Sequence, residues 1–253
     1  MSTLPGKFVW FEHVSNDIPK ARTFYEKLFG WHAEAMPMGG AEPYQMIQNG
    51  SAGIGGYSTA PAGVPTAWLS YLSVDDVDAA HKKALAAGAK SLMAPMNYGS
   101  AGRAATLADP TGAVFSLWKG AQGDPADNPN APTGSFIWNE LTTQDEKAAL
   151  AFYEKAFGFT HDAMPMPQGT YYILKQGEQR RGGLCKAMAP SIPAMWMQYV
   201  SVADCDASAA KATGLGASIV VPPSDIPNIG RFAVFKDPQG AALAIMKPNP
   251  TMS

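Results

Sequence analysis

The chain has 253 residues, of which 46% are apolar, and its formal net charge is −2 at pH 7. This near-neutral balance gives no electrostatic reason to expect a nucleic-acid partner or an anionic membrane surface. The first residues carry no apolar segment of a secretory signal, and no apolar run approaches the length of a membrane span. We therefore expect a cytoplasmic protein with two cores of ordinary domain size and no membrane or nucleic-acid partner.

A long segment near the start of the chain occurs twice. The sequence GKFVWFEHVSNDIPKARTFYEKLFG at 6–30 returns as GSFIWNELTTQDEKAALAFYEKAFG at 134–158, a shift of 128 (134 − 6). The same shift relates further pairs: Trp68 and Trp196, Arg103 and Arg231, and the D-P-x-G turns at 109–112 and 237–240. A period this long predicts a duplicated domain rather than a solenoid. We predict domains at 1–119 and 134–253, joined by a polar, proline-rich linker at 120–133.

Each half begins with an alternating, bulky segment that predicts a strand, at 8–14 in the first half. A cap at Asn16 or Asp17, Pro19 in the first turn and a terminal Gly30 then predict a helix. Further elements follow in order: strands at 31–36, 43–48 and 52–57, a loop at 58–66, a strand at 68–74, a helix from Asp75-Asp76 to Gly88, and strands near 91, at 103–108 and at 113–118.

The second half repeats this order of elements. We predict a strand at 136–142, a helix at 146–157, strands to about 185, a strand at 196–202, a helix at 206–213, and strands ending at 246. Each half therefore contains two βαβββ units, and the fold class is α+β. The segments 95–103 and 222–231 are rich in Pro and Gly, and we expect them to be loops at the mouth of a cavity.

This pattern resembles the vicinal oxygen chelate superfamily, the group of glyoxalase I, bleomycin-resistance proteins and extradiol dioxygenases. The resemblance covers nearly the whole chain and rests on F-Y-E-K-x-F-G after the capping Asp, V-x-D before the second helix, and D-P-x-G. It implies two tandem glyoxalase-like domains, each of two βαβββ units that form a curved sheet or split barrel around a cavity. Whether barrels form within each half or across the halves stays open, as does the oligomeric state; the duplication can make one chain a pseudo-dimer.

The resemblance also implies positions for the divalent metal that these enzymes hold in the cavity. In this sequence those positions are Trp10 and Trp138 in the first strands, Leu69 and Met197 before the second helices, and Ser116 and Ala244 in the last strands. None of these is a usual ligand, and no acidic residue lies at 53–57 or 183–186, where a fourth donor is expected. We therefore predict no metal and no other cofactor.

Glu12 and Glu140 follow the first-strand tryptophans on the same face of the strand, which points into the barrel in this architecture. A buried carboxylate is costly unless it is paired. One interpretation is a structural ion pair with Arg103 or Arg231. The other is a catalytic acid or base in the cavity, with its pKa set by burial.

The remaining candidate cavity residues are mostly aromatic or methionine, which suits an organic ligand but equally an ordinary core. The predicted ligand-binding residues are Trp10, Trp138, Tyr71, Tyr199, Met36, Met38, Met164, Met166, Arg103 and Arg231. His13 lies on the opposite strand face and is replaced by Leu141 in the second half, which indicates a core histidine. Cys185 and Cys205 lack C-x-x-C spacing, which favours two reduced thiols over a disulfide.

These observations leave three classes of function. The first is a protein that binds a small organic molecule in an apolar barrel cavity without the superfamily metal. The second is an enzyme, a lyase, isomerase or hydroxylase-like protein of the lactoylglutathione-lyase type, that uses Glu12 or Glu140 or an unidentified metal. The third is a purely structural or partner-binding duplication.

Overall fold

The computed structural model describes residues 2–37, 43–166 and 169–249, which contain sixteen strands and four helices. The first half holds β1 (Phe8–Ser15), α1 (Ile18–Phe29), β2 (His32–Met36), β3 (Tyr44–Asn49), β4 (Ala52–Thr59), β5 (Ala67–Ser73), α2 (Val77–Ala86), β6 (Lys90–Tyr98), β7 (Gly102–Ala108) and β8 (Val114–Gly120). The second half holds β9 (Phe136–Thr143), α3 (Glu146–Phe157), β10 (Thr160–Met166), β11 (Gly169–Gln176), β12 (Gln179–Lys186), β13 (Met195–Ser201), α4 (Cys205–Gly214), β14 (Ser218–Ile226), β15 (Gly230–Lys236) and β16 (Ala242–Pro248). The four βαβββ units confirm the predicted α+β fold.

The strands form two eight-stranded mixed sheets. Their orders are β2-β3-β4-β1-β5-β8-β7-β6 and β10-β11-β12-β9-β13-β16-β15-β14. In each βαβββ unit the first strand pairs in parallel with the last, as β1 does with β4 and β9 with β12. The other pairs within a unit are antiparallel, as in β2–β3 and β3–β4. A parallel pair requires a crossover connection, which a helix and two antiparallel strands supply here.

All four helices begin at an aspartate. The side chains of Asp17, Asp76, Asp145 and Asp204 each accept a hydrogen bond from the backbone N–H three residues later, at 2.9–3.0 Å. Each carboxylate thereby satisfies an N–H group that has no partner within the helix. At the other end of α1, Gly30 adopts a left-handed conformation with φ of 76°, which a side chain would disfavour.

The expected loops at 95–103 and 222–231 are largely strand, so that prediction was wrong. β6 extends to Tyr98 and β14 to Ile226, each with two irregularities in its pairing register. Both strands stand at the end of their sheets, where one side needs no hydrogen-bonded neighbour. Proline is tolerated on such edge strands and at bulges, and for this reason the proline content misled the sequence interpretation.

The chain divides into two compact units that do not coincide with the sequence halves. Unit 1 contains the stretch up to Trp10, Leu69–Ala126 and Trp138–Met197. Unit 2 contains Phe11–Trp68, Asp127–Ile137 and the stretch from Gln198 onward. Each unit therefore combines one βαβββ module of the first half with one of the second half.

In unit 1 a buried hydrogen-bond chain joins the two modules. Asp109 of the first D-P-x-G turn accepts a hydrogen bond from the hydroxyl of Tyr153 in α3, at 3.1 Å. The Tyr153 hydroxyl in turn accepts one from Nε1 of Trp196, at 2.8 Å. Tyr153 is fully buried, and its burial raises its pKa well above the ordinary value, so the phenol stays protonated.

Unit 2 contains the same chain with the halves exchanged. The hydroxyl of Tyr25 in α1 donates to Asp237 at 3.0 Å and accepts from Nε1 of Trp68 at 2.8 Å. Here a histidine is added, because Nε2 of His13 lies 2.8 Å from the same oxygen of Asp237. His13 is fully buried, as the core interpretation expected, but its Nδ1 has no partner among the described residues.

Candidate functional site

The two faces of β9 differ in exposure. Asn139, Leu141 and Thr143 are buried, whereas Trp138 and Glu140 on the other face are half-buried. We call the second face the open face of unit 1. Alternation along a strand places Trp138 and Glu140 side by side on it, as the sequence predicted.

Three polar atoms on the open face form a hydrogen-bonded chain. Nε1 of Trp138 donates to the hydroxyl of Tyr171 at 2.9 Å, and that hydroxyl donates to Oε2 of Glu140 at 2.8 Å. Burial and the negative charge of Glu140 hold the pKa of Tyr171 well above its ordinary value. Tyr171 therefore remains a hydrogen-bond donor at all physiological pH values, and its bond to the carboxylate is charge-assisted.

A glycine makes room for this arrangement. Gly183 of β12 lies opposite Glu140 in the parallel register. A Cβ at Gly183 would lie 1.9 Å from the Tyr171 hydroxyl oxygen, so no other residue fits while the tyrosine keeps this position. Two residues after Gly183, Cys185 is half-buried, and burial together with the charge of Glu140 raises the pKa of its thiol to about 12.

Unit 2 likewise combines a glycine and a tyrosine beside Glu12. Gly56 of β4 pairs with Glu12, and a Cβ at Gly56 would lie 1.8 Å from the hydroxyl oxygen of Tyr44. Glu12 is 8% exposed, in agreement with an inward-facing strand residue.

The tyrosines were missed in the sequence because the constant shift of 128 fails between β2 and β4. Met36 pairs with Tyr44, and Met164 pairs with Tyr171. The methionines are offset by 128 (164 − 36) but the tyrosines by 127 (171 − 44), so the second half is one residue shorter here. The signal that identifies them is the glycine pair 55–56, repeated at 182–183, whose second member lies opposite each glutamate.

Arg103 and Arg231 are not the expected ion-pair partners of the glutamates, and that prediction was wrong. Arg103 donates from Nε and Nη2 to the carboxylate of Asp78 in α2, with both distances 2.7 Å. Arg231 binds Asp206 in α4 in the same two-pronged way, at 2.6 and 2.9 Å. Both pairs are exposed, and each links a β-strand to the first turn of a helix.

The other predicted ligand-binding residues are distributed unevenly. Tyr71 is 7% exposed and pairs in register with Ser116, and its ring lies edge-on to that of Trp118, with 6.0 Å between the ring centres. Tyr199 is buried in unit 2 against Phe232. Of the remaining predicted residues, Trp10 and Met36 are half-buried, Met164 and Met166 are 41% and 40% exposed, and Met38 lies outside the described residues.

Comparison with known proteins now decides the family. The model of the Glyoxalase/Bleomycin resistance protein/Dioxygenase superfamily matches the chain twice, over residues 7–117 and 136–245. The chain belongs to this superfamily. Its two matches agree with the tandem organisation that the repeat predicted.

Relatives within the superfamily match nearly end to end. CFP32 of Mycobacterium tuberculosis, which carries a provisional glyoxylase name, is 39% identical over 95% of this chain and 94% of its own length. The anthracycline biosynthesis protein DnrV of Streptomyces peucetius is 30% identical over 96% of this chain and 94% of its own length.

Solved structures share the fold at lower identity. An extradiol ring-cleaving dioxygenase from B. fuscum aligns with a TM-score of 0.67 at 14% identity, covering 100% of this chain and 75% of that one. A Mn(II)-bound glyoxalase from Novosphingobium aromaticivorans aligns with a TM-score of 0.63 at 16% identity, covering 95% of this chain and 81% of that one.

The residues at the superfamily's metal positions do not fit a divalent cation. In unit 1 these positions hold Leu69, Ser116 and Trp138, with Gly183 on the strand of the fourth donor. Only Ser116 has a side-chain atom that can accept a bond to a metal, and its hydroxyl is 2.8 Å from that of Thr106. A divalent ion needs several carboxylate, imidazole or thiolate donors. Within residues 2–37, 43–166 and 169–249, no three His, Cys, Asp or Glu side chains converge on a common point.

Two further predictions concern thiols and membranes. Cys185 and Cys205 are both free thiols, in agreement with the reduced state that their spacing favoured. No helix in the described part of the chain is long and apolar enough to cross a membrane.

Proposed function

We propose that the open face of unit 1 binds a small, oxygenated organic molecule and that it does so without the metal of the superfamily. The observation that carries this proposal is the half-buried chain from Trp138 through Tyr171 to Glu140. It supplies a carboxylate acceptor, held in place by the Tyr171 hydroxyl, beside aromatic surface, and polar groups next to aromatic surface are the usual composition of a small-molecule site.

The aromatic surroundings indicate the class of ligand. Trp138 and Tyr171 offer ring surface beside Glu140, and aromatic pairs contribute about 0.5–1.5 kcal/mol each beyond area burial. The relative DnrV is named for anthracycline biosynthesis. We therefore propose a planar, oxygen-bearing aromatic ligand, whose hydroxyl donates to Glu140.

A titration with a fluorescent anthracycline aglycone tests this proposal. Tyr171→Phe removes the donor that orients Glu140 and should weaken binding about fivefold, since the lost orientation of the acceptor costs about 1 kcal/mol. Glu140→Gln removes the charged acceptor and should weaken binding about tenfold or more. Tyr172→Phe alters the same residue type one position along β11, where alternation directs it to the other face, and should bind like the parent. Equal affinity in all four proteins would refute the proposal.

The metal part of the proposal has its own measurement. Protein purified without added metal should contain less than one tenth of an equivalent of Zn, Mn, Fe or Ni by elemental analysis, on the order of adventitious binding. Chelator treatment should leave the anthracycline titration unchanged. About one equivalent of tightly held metal, or loss of binding on chelation, would overturn it.

A second candidate function is metal-independent proton transfer, and the carboxylate of Glu140 favours it. A carboxylate on a half-buried face beside a protonated phenol can act as a general base. The hemithioacetal of methylglyoxal and glutathione is the substrate to test, because CFP32 carries a glyoxylase name. Turnover in the presence of chelator that Glu140→Gln abolishes would establish this candidate; turnover that persists in Glu140→Gln would exclude this role.

A further inference from the structure

A cavity of about 640 Å³ lies in unit 2 beside the start of α1. Its walls are the residues that lead into α1, one arginine of that helix, and the ends of β3 and β4: residues 15–19, Arg22, 43–45 and 57–59. We call it the α1 pocket. Its volume lies within the range of small-molecule sites.

Tyr57 is the first polar group of this pocket. The residue is 4% exposed and lines the pocket, yet its hydroxyl has no hydrogen-bond partner among the described residues. Burial is the main cause that raises the pKa of Tyr57 above its ordinary value, so the hydroxyl keeps its proton. The hydroxyl itself is not one of the buried unpaired polar atoms, so it opens onto the pocket, where a ligand or water can accept its hydrogen bond.

Arg22 is the second polar group. Its Nη1 donates to the side chain of Gln45 at 3.1 Å, and within the described parts of the chain it forms no ion pair. Glu26 stands one turn later in α1, where an arginine and a glutamate often pair, but the side chain of Arg22 is directed to β3 instead. Four of its five N–H donors therefore remain for a ligand.

The other half of the chain shows that the fold does not require these polar groups. Arg22 corresponds to Leu150 by the shift of 128 in α1 and α3. Tyr57 pairs with His13 in the parallel register, and the equivalent pair in the second half is Leu184 and Leu141. Three polar side chains in one module are thus leucine in the other, although both modules form the same strand–helix arrangement.

His13 connects this pocket to the buried core of unit 2. The ring of His13 lies edge-on to that of Tyr57, with 5.9 Å between the ring centres. Its Nε2 is bound to Asp237, which fixes the imidazole behind the tyrosine. The hydrogen bond between His13 and Asp237 therefore supports the part of the pocket wall that Tyr57 forms. The second half has Leu141 in place of His13 and cannot form such a bond.

We propose that the α1 pocket binds a small planar carboxylate, with the carboxylate on Arg22 and Tyr57. A guanidinium and a carboxylate match in geometry and form two parallel hydrogen bonds, and the Tyr57 hydroxyl adds a third. Ile18, Pro19 and Pro43 supply apolar surface for the rest of the ligand. This proposal does not depend on the function proposed for unit 1.

Charge sets the orientation of the ligand. Asp17 also lines the pocket, and its Oδ1 accepts a hydrogen bond from the backbone N–H of Lys20, which makes Asp17 the N-cap of α1. Its negative charge disfavours a second carboxylate at that end. We therefore expect a monocarboxylate rather than a dicarboxylate.

The test is a fluorine NMR titration of the full chain with 4-fluorobenzoate, with 4-fluorobenzamide as the neutral molecule of the same shape. We expect saturable binding of the carboxylate and at least about tenfold weaker binding of the amide, because the amide lacks the charge. Arg22→Leu should weaken benzoate binding about tenfold or more, and Tyr57→Phe, which removes only the hydroxyl, about fivefold. Lys27→Leu removes a positive charge from the last turn of the same helix and should leave binding unchanged.

Several outcomes would overturn the proposal. These are the absence of saturable benzoate binding, equal binding of benzoate and benzamide, and unchanged affinity in both Arg22→Leu and Tyr57→Phe. Tyr57→Leu should fold, because the second half carries leucine at this position, and it should weaken benzoate binding as Tyr57→Phe does. Tyr171→Phe should leave benzoate binding intact, and so distinguishes failure of this proposal from failure of the open-face proposal. Loss of benzoate binding in Tyr171→Phe with no loss in Arg22→Leu would assign the probe to the open face instead.

Discussion

Gly183→Ala tests the position of the Tyr171 side chain on the open face. The added Cβ would lie 1.9 Å from the hydroxyl oxygen of Tyr171 and 2.5 Å from its Cζ, whereas ordinary contact begins at 3.4 Å. The oxygen must therefore move by about 1.5 Å (3.4 − 1.9) or more. A shift of that size breaks the hydrogen bonds of Tyr171 to both Trp138 and Glu140, whose present distances are 2.9 and 2.8 Å.

The expected loss follows from the bonds that break. A neutral hydrogen bond contributes about 1 kcal/mol and one to a charged group about 1.5–3 kcal/mol. Replacing Gly by Ala restores about 0.4–1 kcal/mol by restricting the unfolded chain. Because Tyr171 lies on a half-open face and can swing toward solvent, we expect Gly183→Ala to lower the free energy of unfolding by about 2 kcal/mol.

Urea unfolding measures this change, and Gly214→Ala is its matched control. No atom lies within 4 Å of a Cβ at Gly214, which ends α4 without a positive φ. The control should therefore raise stability by a few tenths of a kcal/mol, up to about 1. In the double variant with Tyr171→Ala, the Gly183→Ala change should cost little further, because the clash with the tyrosine is gone and only Nε1 of Trp138, at 3.1 Å, stays close. A Gly183→Ala protein as stable as Gly214→Ala would refute the proposed position of Tyr171.

Two further predictions concern titrating groups. Glu140→Gln should lower the pKa of Cys185 from about 12, because the carboxylate is one of the charges that raise it, and should speed the reaction of Cys185 with a thiol reagent at alkaline pH. Cys205, which is 1% exposed, serves as the unreactive internal reference. An unchanged reaction rate of Cys185 would contradict its placement beside Glu140. Burial raises the pKa of Asp237, but hydrogen bonds from His13, Gln239 and Tyr25 outweigh it, so the folded pKa lies below the unfolded value. Its stabilising effect is then present above about pH 4 and is lost as pH falls through the folded pKa, so urea midpoints from about pH 6 to pH 2 should fall less steeply in Asp237→Asn than in the parent.

Much of the fold was predictable because it depends on local chemistry. Aspartate caps, terminal glycines and alternating strands depend on the nearest few residues, and these signals located all four helices. The proline-containing parts of β6 and β14 were predicted to be loops, although they are edge strands. Whether a strand tolerates proline depends on whether it has a hydrogen-bonded neighbour on both sides. That information is set by sheet order and not by the local sequence.

The candidate site was predicted in part, for a related reason. Glu140 and Trp138 were identified from strand alternation, which is a local rule. Tyr171 was not, because its contact with Glu140 spans 31 residues and a one-residue length difference displaced it from its counterpart. The proposed partnership of the glutamates with Arg103 and Arg231 failed because helix-borne aspartates at positions 78 and 206 compete for the same guanidinium groups.

The two most recognisable motifs of the chain turn out to be partners. The tyrosine of each F-Y-E-K segment donates to the aspartate of the D-P-x-G turn that lies in the opposite half of the sequence. Tyr25 therefore depends on Asp237, and Tyr153 on Asp109, so neither half supplies its own partner. Because an unpaired buried hydroxyl or carboxylate is costly, this exchange favours units built across the halves over units built within them. Both halves thus keep the two motifs in their sequences, while the hydrogen-bond partner of each motif lies in the other half.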